Sequence, residues 1–166
     1  MNPLDEQQIR ASLVNATRSE RQRMILPELA EVRWDRLDYL GWRDRKQPLA
    51  AYAVTEVDGE PVGIILRAPE TSSRRAAMCA WCEDVADGND TSLYVARRAG
   101  APGRKGNTIG TLICTDFRCS RNVRRRPTLA EAGFDDDVAR AAVVERRIDG
   151  LRERTRRFLE EVRSTA

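Results

Sequence analysis

The sequence predicts an α+β fold with strands in the middle of the chain and helices at its two ends. Residues 1–47 and 127–166 place apolar side chains at helical spacing behind Asp, Ser and Thr residues of the kind that cap helices. Residues 48–126 instead carry short runs rich in β-branched and aromatic residues, broken by Asp-Gly and glycine-rich turns. That central stretch also holds all four cysteines, as two close pairs. We read the 166 residues as one domain of three parts: a leading helical segment (1–47), a central segment of hairpins (48–126) and a C-terminal helical segment (127–166). A chain of about 150 residues buries roughly 70% of its unfolded surface, enough for a real core.

In the leading segment, Asp5 can cap a helix that sets Ile9, Leu13 and Ala16 on one face. Ser19-Glu20-Arg21-Gln22 has capping-box form and predicts a second helical start, which Pro27 ends or redirects. Two of the three tryptophans follow in Trp34-Asp35-Arg36-Leu37-Asp38-Tyr39-Leu40-Gly41-Trp42-Arg43-Asp44. Large aromatics at that density predict a core anchor under a short helix or loop. Residues 50–67 predict a hairpin, because Asp58-Gly59 separates Tyr52, Val54 and Val57 from Val62, Ile64, Ile65 and Leu66. Pro61 suits only a strand start or a sheet edge.

The cysteine region begins with Cys79-Ala80-Trp81-Cys82, followed by an Asp87-Gly88-Asn89 turn. Leu93–Ala96 and Thr108–Ile113 are candidate strands, with a loop expected over Ala99–Gly106. The second candidate strand leads into Cys114, and a short helical turn is expected around Ser120–Arg125. In the last segment, Thr128-Leu129-Ala130-Glu131 forms a capping box that Gly133 interrupts. Asp135, Asp136 and Asp137 put negative charge where a helix N-terminus is positive. Val144, Ile148, Leu151, Phe158 and Val162 form a stripe, with Thr155 filling its missing turn.

The pairs Cys79-x2-Cys82 and Cys114-x4-Cys119 stand 31 residues apart. Two close pairs at about hairpin separation are the spacing of a structural zinc site, and four thiolates leave no open coordination position for a substrate. The order of knuckle, hairpin, second pair and short helix is that of a treble-clef finger, with a zinc ribbon as its nearest competitor. A redox Cys-x2-Cys pair is the other use of such residues; the second pair and its hairpin argue against it. The chain has no histidine, which removes the commonest general base and leaves cysteine as the one strong zinc ligand type. It shows no paired-carboxylate motif, P-loop or dinucleotide fingerprint, so we expect no enzyme and no small-molecule substrate. With no apolar span and no apolar signal core after Met1, a cytoplasmic location is expected and no membrane role. The Asn15-Ala16-Thr17 sequon is then accidental.

Basic charge is unevenly placed. Residues 97–126 hold nine basic side chains against one acid, Asp116, for a net +8, while residues 1–96 are −4 and residues 127–166 are −1. The positive charge therefore sits on the segment that the metal organises. Arg104, Lys105 and Asn107 lie on the loop and strand start before Cys114; Trp81, Phe117 and Arg118 lie between ligands, where a short loop is expected to push side chains outward.

At these residues the chain resembles the elongation factor G-binding proteins, the FusB/FusC type of fusidic acid resistance proteins. The resemblance rests on the Trp34–Asp44 tract, Met78-Cys79-Ala80-Trp81-Cys82, Gly103-Arg104-Lys105-Gly106-Asn107-Thr108-Ile109-Gly110 and Ile113-Cys114-Thr115-Asp116-Phe117-Arg118-Cys119-Ser120, across roughly residues 8–163. It implies one structural Zn²⁺ on Cys79, Cys82, Cys114 and Cys119. It also implies a non-enzymatic protein that binds elongation factor G and promotes its release from ribosomes. Partner contacts are expected on the finger at Trp81, Arg104, Lys105, Asn107, Phe117, Arg118 and Arg121. The resistance proteins carry an additional N-terminal helical bundle that this sequence does not show, so factor binding is implied more directly than drug resistance. The alternative from the charge pattern is an RNA- or ribosome-binding module, with Arg121, Arg124, Arg125 and Arg126 as phosphate contacts.

Overall fold

The β-rich runs of the central segment pair into one antiparallel sheet. The computed structural model describes residues 1–70, 75–84 and 90–164. Its strands are β1 (Leu40–Arg43), β2 (Ala50–Val57), β3 (Glu60–Arg67), β4 (Arg75–Ala76), β5 (Asp90–Arg97) and β6 (Thr108–Cys114). They run in the order β1-β2-β3-β5-β4, with β6 on the other side of β5. The β2–β3 hairpin turns at Asp58 and Gly59, both at positive φ (52° and 81°), as the expected Asp-Gly turn demands. Pro61 sits second in β3. The expected Asp87–Asn89 turn lies outside the described residues.

Strand alternation gives the sheet two different faces. Ala51, Ala53, Ile64, Leu66, Tyr94, Ala96 and Ile113 turn toward Leu151, Phe158, Leu159 and Val162 of the long helix α6 (Asp137–Arg163). Trp42, Tyr52, Val54 and Ile65 turn the other way, against Ile9 and Leu13 at the N-terminal helix and Met24 beyond it. That helix, α1 (Glu6–Ser12), is capped by Asp5 through a capping box with Gln8. Helix α2 (Arg18–Arg23) is capped by Thr17 with Glu20, two residues earlier than the Ser19 start expected. Thr17 wins because Glu20 then falls at the third helical position, where its carboxylate reaches back to the Thr17 N–H.

Four further expectations change. The leading segment is not wholly helical, because the Trp34–Asp44 tract makes a 3₁₀ turn at Trp34–Arg36 and then the strand β1. Trp42 lies opposite Tyr52 and stacks on it at 4.9 Å. A strand of four residues is too short to show alternation, so only its pairing reveals it. The glycine-rich loop folds into a short helix, α3 (Gly100–Arg104). A Cβ on Gly103 would stand 1.7 Å from the Arg98 carbonyl oxygen, so glycine is what lets this turn close on β5. The remaining helices are α4 (Cys119–Asn122), shorter than expected, and α5 (Leu129–Ala132), whose capping box forms as expected and which ends at Gly133 with φ 77°. Along α6 the stripe is buried at Leu151, Thr155, Phe158 and Val162, but Val143 rather than Val144 points into the core.

Asn15 has a structural use that the sequon concealed. Its amide spans the gap where β3 and β5 diverge, donating to the Ile65 and Arg97 carbonyls and accepting from the Ile65 N–H. Asp38 joins three parts of the chain. Its fully buried carboxylate accepts from Arg124 at 2.5 and 3.1 Å and from Arg152 at 3.1 Å, and its backbone N–H donates to Ser120 Oγ. Removing one partner of a buried pair costs about 3–5 kcal/mol. Both arginines here reach solvent, so Asp38→Ala is expected to cost about 3 kcal/mol. Urea unfolding of the zinc-loaded protein measures it; a loss under about 1 kcal/mol would mean the pair is no more than a surface contact.

Candidate metal centre

Each sulfur is delivered by a different local device. Cys79 and Cys82 sit on a knuckle after β4, which the Ala80 N–H pins to the Leu112 carbonyl of β6. Within the knuckle the Cys82 N–H donates to Cys79 Sγ at 3.5 Å, and Glu83 turns the chain at φ 55°. Cys114 ends β6, and Cys119 opens α4. Between them the Phe117 N–H donates to the Cys114 carbonyl, with Phe117 itself at φ 57°. Side chains in that region cost on the order of 1–2 kcal/mol each, which the closed site must offset.

The four sulfurs converge in one buried cluster. All lie within 4.8 Å of one another, with Cys79–Cys119 and Cys82–Cys114 each at 3.6 Å. Tetrahedral thiolates on one Zn²⁺ at about 2.3 Å would stand about 3.8 Å apart, so the donor set and its spacing fit the ion. None is joined in a disulfide. The electrostatics argue the same way. Hydrogen bonds from Cys114 and then Cys119 pull the Cys79 thiol well below its ordinary range. Cys114 and then Cys79 push the Cys119 thiol well above it. Four touching sulfurs cannot all ionise unless a cation lies among them. Zn²⁺ there would close its coordination shell with protein ligands and serve as scaffold.

Around the sulfurs lies a second set of residues that sequence reasoning missed. Asn122 Nδ2 lies 3.4 Å from Cys114 Sγ and 3.8 Å from Cys82 Sγ. Its place three residues after Cys119, on the same face of a helical turn, was the signal for it. Tyr39 is buried beneath the site, donates to the Phe117 carbonyl, and has its hydroxyl pushed well above the usual range by burial and then by Cys119. From α6, Arg154 donates to the Trp81 carbonyl and pairs with Glu83.

The expected surface residues divide. Trp81 and Phe117 do not point outward, which corrects that expectation. Trp81 is 1% exposed, edge-on to Tyr39 at 5.0 Å and near Phe158 at 5.8 Å. Phe117 packs on Tyr94 at 5.1 Å, because its left-handed backbone reverses the turn. Arg104, Lys105, Asn107, Arg118 and Arg121 are exposed. The +8 segment is largely neutralised within the chain. Arg97 pairs with Glu20, Arg98 with Glu161 and Arg118 with Asp116. Arg124 pairs with Asp38, Arg125 with Glu131 and Arg126 with Asp137. Arg104, Lys105 and Arg121 make no ion pair among the described residues.

A sheet hairpin that carries one cysteine pair on a knuckle and the other across a strand end and a helix start defines a treble-clef zinc finger. The chain belongs to the family described as "FBP C-terminal treble-clef zinc-finger", whose model matches residues 8–162. Among solved structures it is similar to the fusidic acid resistance protein FusC, with 21% identity and a TM-score of 0.48, over 75% of this chain and 50% of that one. The chain therefore spans about half the length of FusC. No curated protein matches it in sequence. No helix among the described residues is long and apolar enough to cross a membrane.

The purified protein is expected to hold one zinc per chain by elemental analysis. Structural zinc contributes on the order of 10–16 kcal/mol in small modules, so a strong chelator should unfold residues around the knuckle and β6. Protection of those amides from hydrogen exchange after complete zinc removal would contradict this. Asn122→Ala should retain the fold but lose zinc to a competing chelator about 10-fold more readily, since outer-shell hydrogen bonds typically carry 10–100-fold in metal affinity.

Proposed function

We propose that the protein is a non-enzymatic adaptor that binds elongation factor G through its zinc finger and modulates the factor's release from the ribosome. Membership of the zinc-finger family and the resemblance of the finger tracts support this reading. The observation that carries it is the surface of the β5–β6 hairpin. Directly opposite pairs in this hairpin share a face, so Leu93 with Leu112, Val95 with Gly110 and Arg97 with Thr108 turn away from α6. No helix covers that face among the described residues, and Leu93 is 54% exposed. At its end stand Arg104, Lys105 and Asn107, held by Gly103 and by Gly106 at φ 89°. An open apolar strip with unpaired cationic and amide groups at its rim suits a protein partner. A nucleic-acid footprint wants a field of one sign, and the internal ion pairs of Arg97, Arg98, Arg124 and Arg125 interrupt that field. In this reading Arg118 and Arg121 flank the contact, whereas Trp81 and Phe117 stiffen it from below. In this reading tolerance of fusidic acid would follow from release of the trapped factor.

Pull-down of elongation factor G from the same organism, at micromolar concentration in low salt, tests the proposal. Binding is expected, and the double variant Lys105→Ala/Asn107→Ala should weaken it at least about 10-fold while zinc content stays at one per chain. Absence of a complex with the zinc-loaded protein overturns the reading. RNA capture whose logarithmic affinity falls steeply with logarithmic salt would favour the ribosomal-RNA alternative.

A further inference from the structure

Away from the cysteines, the face of the sheet that carries α1 and α2 opens into a cavity of about 710 Å³. It shares no lining residue with the metal centre. Its origin is a break in the sheet. β3 and β5 pair at one register point, Arg67 opposite Val95, and the Asn15 amide occupies the next position. α2 ends at Arg23, too soon to cover the depression. The floor is Ile65 and Val95, and Leu49, 39% exposed, stands at its side. Small-molecule sites run from about 300 to 1,000 Å³ with mostly apolar linings and a few placed polar groups.

The polar groups here are mainly guanidinium. Arg97 is committed to Glu20, which despite burial is held below the ordinary carboxylate range by its Thr17 cap and by Arg97. Two others are available. Arg23 makes no ion pair among the described residues, and its Nε donates to the Ser19 carbonyl. Arg67 pairs with Glu70, but both side chains are about 70% exposed (68% and 71%), and such pairs contribute roughly 0–1 kcal/mol. A guanidinium meets a carboxylate through two parallel hydrogen bonds, which a compact ammonium cannot match.

We propose that this cavity binds a small amphipathic carboxylate, its apolar body on Leu49, Ile65 and Val95 and its head group on Arg23 and Arg67. The cavity shares Val95, Arg97 and Thr108 with the edge of the proposed factor-binding face, and small probes in the absence of the factor test it independently of that reading.

Methyl NMR of the full zinc-loaded chain with decanoate tests it, with decylammonium and decanol as probes of equal chain length. Decanoate should give saturable shifts below millimolar concentration, confined to the methyls of Leu49, Ile65 and Val95. Decylammonium should bind at least about 10-fold more weakly, a difference of about 1.4 kcal/mol. Arg23→Ala/Arg67→Ala should weaken decanoate by a similar factor and leave decanol unchanged, while Leu49→Asp, at an exposed position, should weaken both. Equal binding of decanoate and decylammonium overturns the proposal. So does the absence of saturation at millimolar decanoate, or shifts spread equally to the exposed methyls of Leu93 and Val138.

Discussion

The rest of the structure hangs on the closure of four sulfurs around one cation. Two thiols come from a knuckle whose one large apolar side chain is Trp81, one from the end of β6 and one from the start of α4. Without a metal their convergence is repulsive once they ionise, and the strained residues Glu83 and Phe117 have nothing to offset their backbone cost. With it, the knuckle, the hairpin and α4 become one rigid unit. The core is built against the site: Trp81, Tyr39 and Phe117 all pack directly beneath the ligands.

A second constraint is the anchoring of that unit to α6. Asp38 holds Arg124 near the finger and Arg152 on the helix, and Arg154 takes the Trp81 carbonyl and Glu83. The long helix thus acts as a strap across the back of the finger. Much of the arginine in the basic segment and α6 is spent on these internal connections. Among the described residues a large positive count in one stretch of sequence therefore leaves few cations without an ion pair: Arg104 and Lys105 before β6, and Arg121 beyond its other end.

The two faces of the sheet explain where function can sit. α6 fills one face, whereas α1 and α2 fill only the β1–β3 part of the other. The outer side of β5–β6 and the depression at the β3–β5 break are left open by the same shortage of helical cover. The first adjoins the finger and the basic tip, and the second adjoins α2 and two available guanidinium groups. The two meet at Val95, Arg97 and Thr108, with the finger bordering the first and the guanidinium groups the second.

The sequence by itself determined the ligand set, the metal and the main elements. Cysteine spacing reports coordination directly, Asp58-Gly59 encodes its hairpin through backbone geometry, and the Thr128 capping box is a purely local hydrogen-bond pattern. Such features need only neighbours in the chain, so they are legible there. Tertiary structure alone decided the rest. β1 exists because Trp42 finds Tyr52, and α3 closes because Gly103 lies against Arg98. Trp81 and Phe117 turn inward because Tyr39, Tyr94 and Phe158 offer rings to bury against. The direction of a side chain in a tight turn, like the partner of a charged one, depends on surfaces brought together from distant parts of the chain, and no local pattern records them.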